Sequence, residues 1–277
     1  HTRSDGFAGT RRPFQIGAAI YGHAGAESDV EIIRLVMLTL ALAGIENAYL
    51  DVGHVGIYRG LARQAGLDLT GEMALFDALQ RKALPEIEDL ISRQGVHGEP
   101  ANMLLSLAEL NGEDALARAE AVLRSADANV KAALAYVRRV AEELRRWLPD
   151  VPVHFDLAEL RGYHYKTGVV FAAFVPGWGQ EIARGGRYDD IGRVFGRARP
   201  AVGFSTDLKG LLRLGAGREA RHQEADAVFA PWSADAGLQK AIARLRREGR
   251  RVVTELPGQA AGARELGCAE MLIHKEG

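Results

Sequence analysis

One cysteine, Cys268, occurs in 277 residues. A lone thiol cannot close an internal disulfide or build a thiolate zinc site. This usage fits a reducing cytoplasm. Charge of one sign is not in excess either: 35 Lys and Arg face 36 Asp and Glu, for a net charge of −1. That leaves no global basic footprint for nucleic acid and no acidic tail. Long apolar runs are missing. The longest, around Leu35–Ala43, is broken by Thr39 and is too short to span a bilayer. No signal-peptide pattern is visible. The eight histidines are scattered and form no HxxxH or HExxH pair, so no metal is expected. There is no GxxxxGK[ST] phosphate loop, no strand–GxGxxG–helix fingerprint and no GxSxG elbow, so no cofactor is expected.

What is present is a globular composition, 47% hydrophobic and 26% charged, enough for one large domain or two smaller ones. Arg11–Gly22 (RRPFQIGAAIYG) reads as a strand, with turn chemistry in SDGFAG before it. The chain opens at His1 inside what reads as a hairpin, so further N-terminal residues are expected to precede it. ESDVEIIRLVMLTLALAGI reads as a helix with Ser28 or Asp29 as cap and Gly44 as stop. Its apolar residues run nearly all round, which predicts burial on most sides. From Thr70 to about Trp147 the sequence is helical, divided by Pro85, GVHGEP and NGED. The basic outer face of 127–147 reads as a solvated helix face.

Two strands follow, Val169–Val175 and about Gln180–Arg184, joined by PGWG. RPAVGFSTDLKGLL reads as a strand entering a helix near Thr206–Asp207. Gly215–Ala225 is polar and linker-like. The end of the chain alternates strand, helix, strand, helix, strand, the last helix being AAGARELG. This predicts a small parallel βαβαβ unit over 222–277 after a larger unit over 1–215.

One cluster carries chemistry. Arg161 and Gly162 precede a segment read as strand, with Tyr163 and Tyr165 on one face and His164 on the other. The run RGGRYDD (Arg184–Asp190) offers glycine backbone that a small ligand can approach closely, at Gly185 and Gly186. Arg and Tyr beside such a sheet could hold a carboxylate and an aromatic or imidazole group. A hairpin with a glycine bulge explains the same glycines equally well without a ligand.

Taken in order, these segments resemble the catalytic core of histidyl-tRNA synthetase, a class II aminoacyl-tRNA synthetase. RGYHYKTGVVFAAF is similar to that family's RGLDYYTGTVFE signature, and ARGGRYDDIG to its AGGRYDGL signature. RPAVGFSTDLKGLL is similar to the third class II motif, and the first 22 residues to the second. The resemblance covers 1 to about 215. It implies an α/β (α+β) fold with an antiparallel sheet flanked by helices and a helical insertion at about 70–130. It also implies a histidine pocket at Gln15, Arg161, Tyr165, Gly185, Gly186 and Tyr188.

The departures bear on activity. The family's motif 2 arginine for the ATP α-phosphate aligns with His1, its adenine-reading glutamate with Arg3, and its motif 3 arginine with Gly210. Losing one such charge-assisted clamp costs about 2.7–4 kcal/mol of barrier. Within the pocket a glutamate is replaced by Ala19 and a tyrosine by Lys166. The last unit is also too short for that family's anticodon-binding domain.

A second family is more similar, the regulatory subunit of the short-form ATP phosphoribosyltransferase, on PFQIGAAIYGHAGAESDVEIIRL, RGYHYKTGVVFAAFVPG and ARGGRYDDIG. That resemblance implies a non-catalytic cytoplasmic protein of histidine biosynthesis. It would partner a short catalytic subunit, as a homodimer within a hetero-octamer, with histidine as feedback inhibitor. No nucleic acid or membrane partner is implied. A truncated histidyl-tRNA synthetase and a stand-alone amino-acid sensor remain as alternatives.

Overall fold

In the computed structural model the described residues are 14–160, 162–215, 227–259 and 261–273. His1 and Arg3, the linker read at Gly215–Ala225 beyond its first residue, and Arg161 lie outside them.

Seven strands form the main sheet: β1 (Gln15–Tyr21), β2 (Tyr49–His54), β3 (Asn111–Gly112), β4 (Val153–Asp156), β5 (Val169–Phe174), β6 (Ala183–Arg187) and β7 (Ala201–Asp207). Their order in space is β1-β7-β6-β5-β2-β4-β3. Only β2 and β4 run parallel to each other among these neighbours. β5 (VVFAAF) is buried along nearly its whole length, which is why it reads as a continuous apolar run rather than an alternation. The second strand of this hairpin begins at Ala183, three residues later than expected. Gly185 and Gly186 thereby fall inside the strand rather than past its end.

Helix α1 (Ala26–Leu42) packs on the sheet. It starts after Gly25, so Ser28 and Asp29 are not its caps. Both lie within the first turn and are fully buried, and Ser28 Oγ donates back to the Gly25 carbonyl at 2.9 Å. Nor is the helix buried all round. Val30, Ile33, Val36 and Leu40 face the core, whereas Leu42 is 74% exposed. α2 (Val55–Gln64) follows β2 directly, capped by the His54 ring, whose Nδ1 accepts from the Gly56 amide at 3.0 Å.

The middle of the chain is α3 (Leu69–Gln80), α4 (Leu84–Arg93), α5 (Gly98–Leu107) and α6 (Ala115–Val122), with β3 closing the far edge of the sheet. Asp68 caps α3 through the Gly71 amide at 2.7 Å. The long α7 (Ala128–Trp147) is capped by Asp127, which accepts from Val130 N at 2.8 Å. Its buried stripe, Val130, Leu134, Val137, Ala141 and Leu144, packs against α1 and α2. α8 (Leu208–Leu214) leaves β7 with Asp207 at its cap.

The C-terminal strands β8 (Val228–Ala230), β9 (Val252–Thr254) and β10 (Glu270–Met271) form a parallel sheet in the order β10-β8-β9. α9 (Ala236–Arg247) makes the first crossover. The second crossover, expected as a helix, is a single turn over 263–267, with Gly262 just before it and Gly267 at its end. Two glycines in so short a segment leave too few residues to repay helix nucleation. This unit leans on the core: the Trp232 and Trp147 rings meet at a tilt of 38° with centroids 4.6 Å apart, and Arg34 lies 4.0 Å over Trp147.

Candidate functional site

The strand glycines shape a cavity of about 550 Å³ on the face of β1, β6 and β7. Gly185 sits opposite Phe204, and a Cβ there would lie 2.4 Å from the Gly203 carbonyl and 2.3 Å from the Phe171 ring. Gly186 has φ +150°, a conformation that glycine adopts without strain. Only glycine lets β6 run this close to its neighbours.

The lip of the cavity comes from the segment after Leu160. Gly162 has φ +78° and starts a turn, not the expected strand. The amides of Tyr165 and Lys166 both donate to its carbonyl, at 3.0 and 2.8 Å. The turn sends the two tyrosines to different places, correcting the shared face read from their spacing. Tyr163 is buried against Tyr58 and Phe76, with its hydroxyl donating to Glu72. Tyr165 is half-exposed and lines the cavity.

Four of the sequence-predicted residues, Gln15, Tyr165, Gly185 and Tyr188, line this cavity. Gly186 contributes its carbonyl just behind it, and Arg161 lies outside the described residues. Ala19 and Lys166 also line the cavity, so both departures from the synthetase pattern fall within it.

Lys166 is the residue whose role spacing did not disclose. It is 6% exposed, and its Nζ donates to Gly186 O at 3.0 Å. The same atom stands 4.9 Å over the Tyr188 ring and 5.2 Å over the Tyr165 ring. Burial, and then the Arg184 charge, pull its pKa down to about 8, against the opposing field of Asp29. Arg184, the first residue of the RGGRYDD run, joins the polar lining together with Glu159 and Ser205, which were not singled out.

Behind the cavity lies a buried polar knot. Arg187 Nη2 lies 2.8 Å from Asp29 Oδ1 and donates to Ser28 Oγ at 2.8 Å and Gly25 O at 3.0 Å. Its Nη1 donates to His23 O at 3.0 Å, and Tyr136 donates to Asp29 Oδ2 at 2.6 Å. Burial pushes Asp29 up to about 6, although Arg187 and Tyr136 pull the other way. Burial works against the Arg187 charge too, but Asp29, Tyr136 and Asp189 together outweigh it and raise the guanidinium pKa. The knot ties β6 to the start of α1 and fixes the strand that carries Gly185, Gly186 and Tyr188. Among the described residues, no group of three or more His, Cys, Asp or Glu could hold a metal ion, and no helix is long and apolar enough to cross a membrane.

A mostly antiparallel sheet with this hairpin, this glycine-lined cavity and a strand running into α8 is the core of a class II synthetase-type protein. The histidyl-tRNA synthetase family model matches residues 1–211, and the ATP phosphoribosyltransferase subunit HisZ C-terminal domain matches 225–277. The ATP phosphoribosyltransferase regulatory subunit of Alkalilimnicola ehrlichii is 51% identical, over 100% of this chain and 69% of its own length. That of Thioalkalivibrio sulfidiphilus is 52% identical, over 98% of this chain and 69% of its own. Among solved structures, an ATP phosphoribosyltransferase regulatory subunit/histidyl-tRNA synthetase from Bacillus halodurans has a TM-score of 0.67 at 24% identity. It covers 93% of this chain and 67% of that one. The chain belongs to the ATP phosphoribosyltransferase regulatory subunit family.

Proposed function

We propose that this chain is a non-catalytic regulatory subunit that works with a short-form ATP phosphoribosyltransferase catalytic chain in the first step of histidine biosynthesis. The observation that carries this reading is about 50% identity along the whole chain to proteins of that name. The site chemistry supports it. A synthetase must clamp ATP phosphates with guanidinium groups, and α8 offers Gly210 at the aligned position. A cationic Lys166 in the amino-acid cavity would also repel a substrate ammonium. The chain would act as a homodimer within a cytoplasmic hetero-octamer, and the cavity at Gln15, Arg161, Tyr165, Gly185, Gly186 and Tyr188 would serve as an effector pocket.

The test is turnover of the catalytic chain, from ATP and phosphoribosyl pyrophosphate, with and without this protein. Stimulation together with no histidine-dependent ATP–pyrophosphate exchange is expected. Exchange above a protein-free control would restore the synthetase reading.

A further inference from the structure

A second cavity, of about 340 Å³, lies at the other end of the main sheet and shares no lining residue with the first. Three elements meet there. Ala141, Arg145 and Leu148 stand at i, i+4 and i+7 along the end of α7 and its cap, so they share one face. Val153 and Phe155, two residues apart on β4, share one face of that strand. Gly112 of β3 pairs with Phe155, which brings Glu113 to the same place. The floor is apolar: Ala141 is 2% and Phe155 3% exposed, and Leu148 and Val153 pack on the core.

Among the described residues the lining carries two ionisable groups, Glu113 and Arg145. Both are exposed, and neither side chain has a hydrogen bond or ion pair with another described residue. Their chain neighbours are engaged: Asp114 holds Arg118 at 3.0 Å, and Arg146 holds Glu143 at 2.8 Å. One anion and one cation therefore stand open at the margin of an apolar floor. That is the complement of a molecule with an ammonium, a carboxylate and an apolar body. A ligand with only one of those charges would leave the other protein group partly dehydrated and without a partner. Ligand cavities run from about 300 to 1,000 Å³, so this one, at the small end, suits a molecule the size of a single amino acid.

We propose that this cavity is a second ligand site, which takes one free α-amino acid with an apolar side chain. Arg145 holds its carboxylate, Glu113 its ammonium, and Val153 and Phe155 its side chain. The assignment does not rest on the effector-pocket reading, because neither Arg145 nor Glu113 belongs to the first cavity.

Equilibrium dialysis of the intact chain at pH 7.5 with three probes tests it: L-phenylalanine, phenylalaninamide, which lacks the carboxylate, and 3-phenylpropanoate, which lacks the ammonium. Phenylalanine is expected to bind at least about tenfold tighter than either analogue, which is what one charge-assisted hydrogen bond provides. Arg145→Met should erase the advantage over phenylalaninamide and keep the advantage over 3-phenylpropanoate. Glu113→Gln should do the reverse. Both side chains are exposed and unpartnered, so both variants should melt like the parent. No saturable binding of phenylalanine would overturn the proposal. So would equal affinity for the three probes, or unchanged preferences in the two variants. A change of oligomeric state in Arg145→Met, seen by sedimentation with phenylalanine affinity intact, would also overturn it and assign the cavity to a contact between chains.

Discussion

Arg187 and Asp29, 158 residues apart in sequence, meet at 2.8 Å with both side chains shut away from solvent. Each is the reason the other can be buried. A lone guanidinium or carboxylate in that position would forfeit its hydration without recompense. Replacing Arg187 by Met should therefore cost about 3–5 kcal/mol. The double variant Asp29→Asn/Arg187→Met should lose less than the sum of the two single losses. Urea unfolding of the four proteins measures the cycle, and strict additivity would contradict the pairing.

Acid should act through His54. Burial, then the charges of Arg59 and Arg187, hold its pKa down to about 4. A depressed histidine contributes stability that is full above its unfolded value of 6.5 and is lost as pH falls through about 4. Asp29 runs the other way, since its raised pKa favours the folded state at low pH. The difference between wild type and His54→Asn isolates the histidine, because Asp29 is common to both and asparagine can still accept from the Gly56 amide. That difference should shrink by about 3 kcal/mol between pH 6.5 and pH 4. Denaturant titrations at four or five pH values would show it, and a constant difference would count against a neutral His54.

Gly185→Ala should destabilise by about 1–3 kcal/mol, the usual cost of overpacking. The new methyl would collide with a carbonyl that cannot move without disturbing β7. Gly177, in the neighbouring hairpin, has nothing within 4 Å of where a Cβ would stand, but its φ of +81° adds strain. Gly179 has equal space and no such angle, so Gly179→Ala is the control and should be nearly neutral. Thermal melts of the two variants compare them directly.

The Trp147–Trp232 contact predicts how the C-terminal sheet is held. Among the described residues its own buried cluster is Ala230, Leu238 and Ile242, while Trp232 packs against the main core. Trp232→Ala should lower amide protection in β8 and α9 while leaving β5 to β7 unchanged. Hydrogen exchange read by mass spectrometry resolves the two regions. Equal protection losses in both would mean that the sheet and core unfold as one unit.

Much of the site was legible in local sequence because strands and glycines leave local marks. Gln15, Gly185 and Tyr188 fall on strand residues or just beyond them, and the hairpin turn at PGWG announces the pairing of β5 with β6. The parts that were not legible depend on distance or on one backbone angle. Asp29 looked like a helix cap because nothing nearby in sequence reveals Arg187 as its partner. Tyr163 and Tyr165 looked like strand neighbours because period-2 counting does not foresee the positive φ at Gly162. Lys166 looked like a mere replacement until the turn tucked its amine between two tyrosines. In the C-terminal unit a helix was read from Ala, Arg and Glu, whose propensity two flanking glycines override.

The pairing of β1 with β7 sets an order of events during synthesis. Gln15 lies opposite Asp207, so β1 leaves the ribosome long before its sheet neighbour exists. Until then the backbone donors and acceptors that β7 will take are unclaimed, and Phe14, Ile16 and Tyr21, still exposed in the finished fold, stand beside them. Such an edge is a template for misplaced strands. The nascent chain must carry this adhesive segment while nearly two hundred further residues are added. Crowding, slow translation or scarce chaperones should therefore damage this protein at β1, whose partner among the described strands, β7, is among the last pieces of the core to be made.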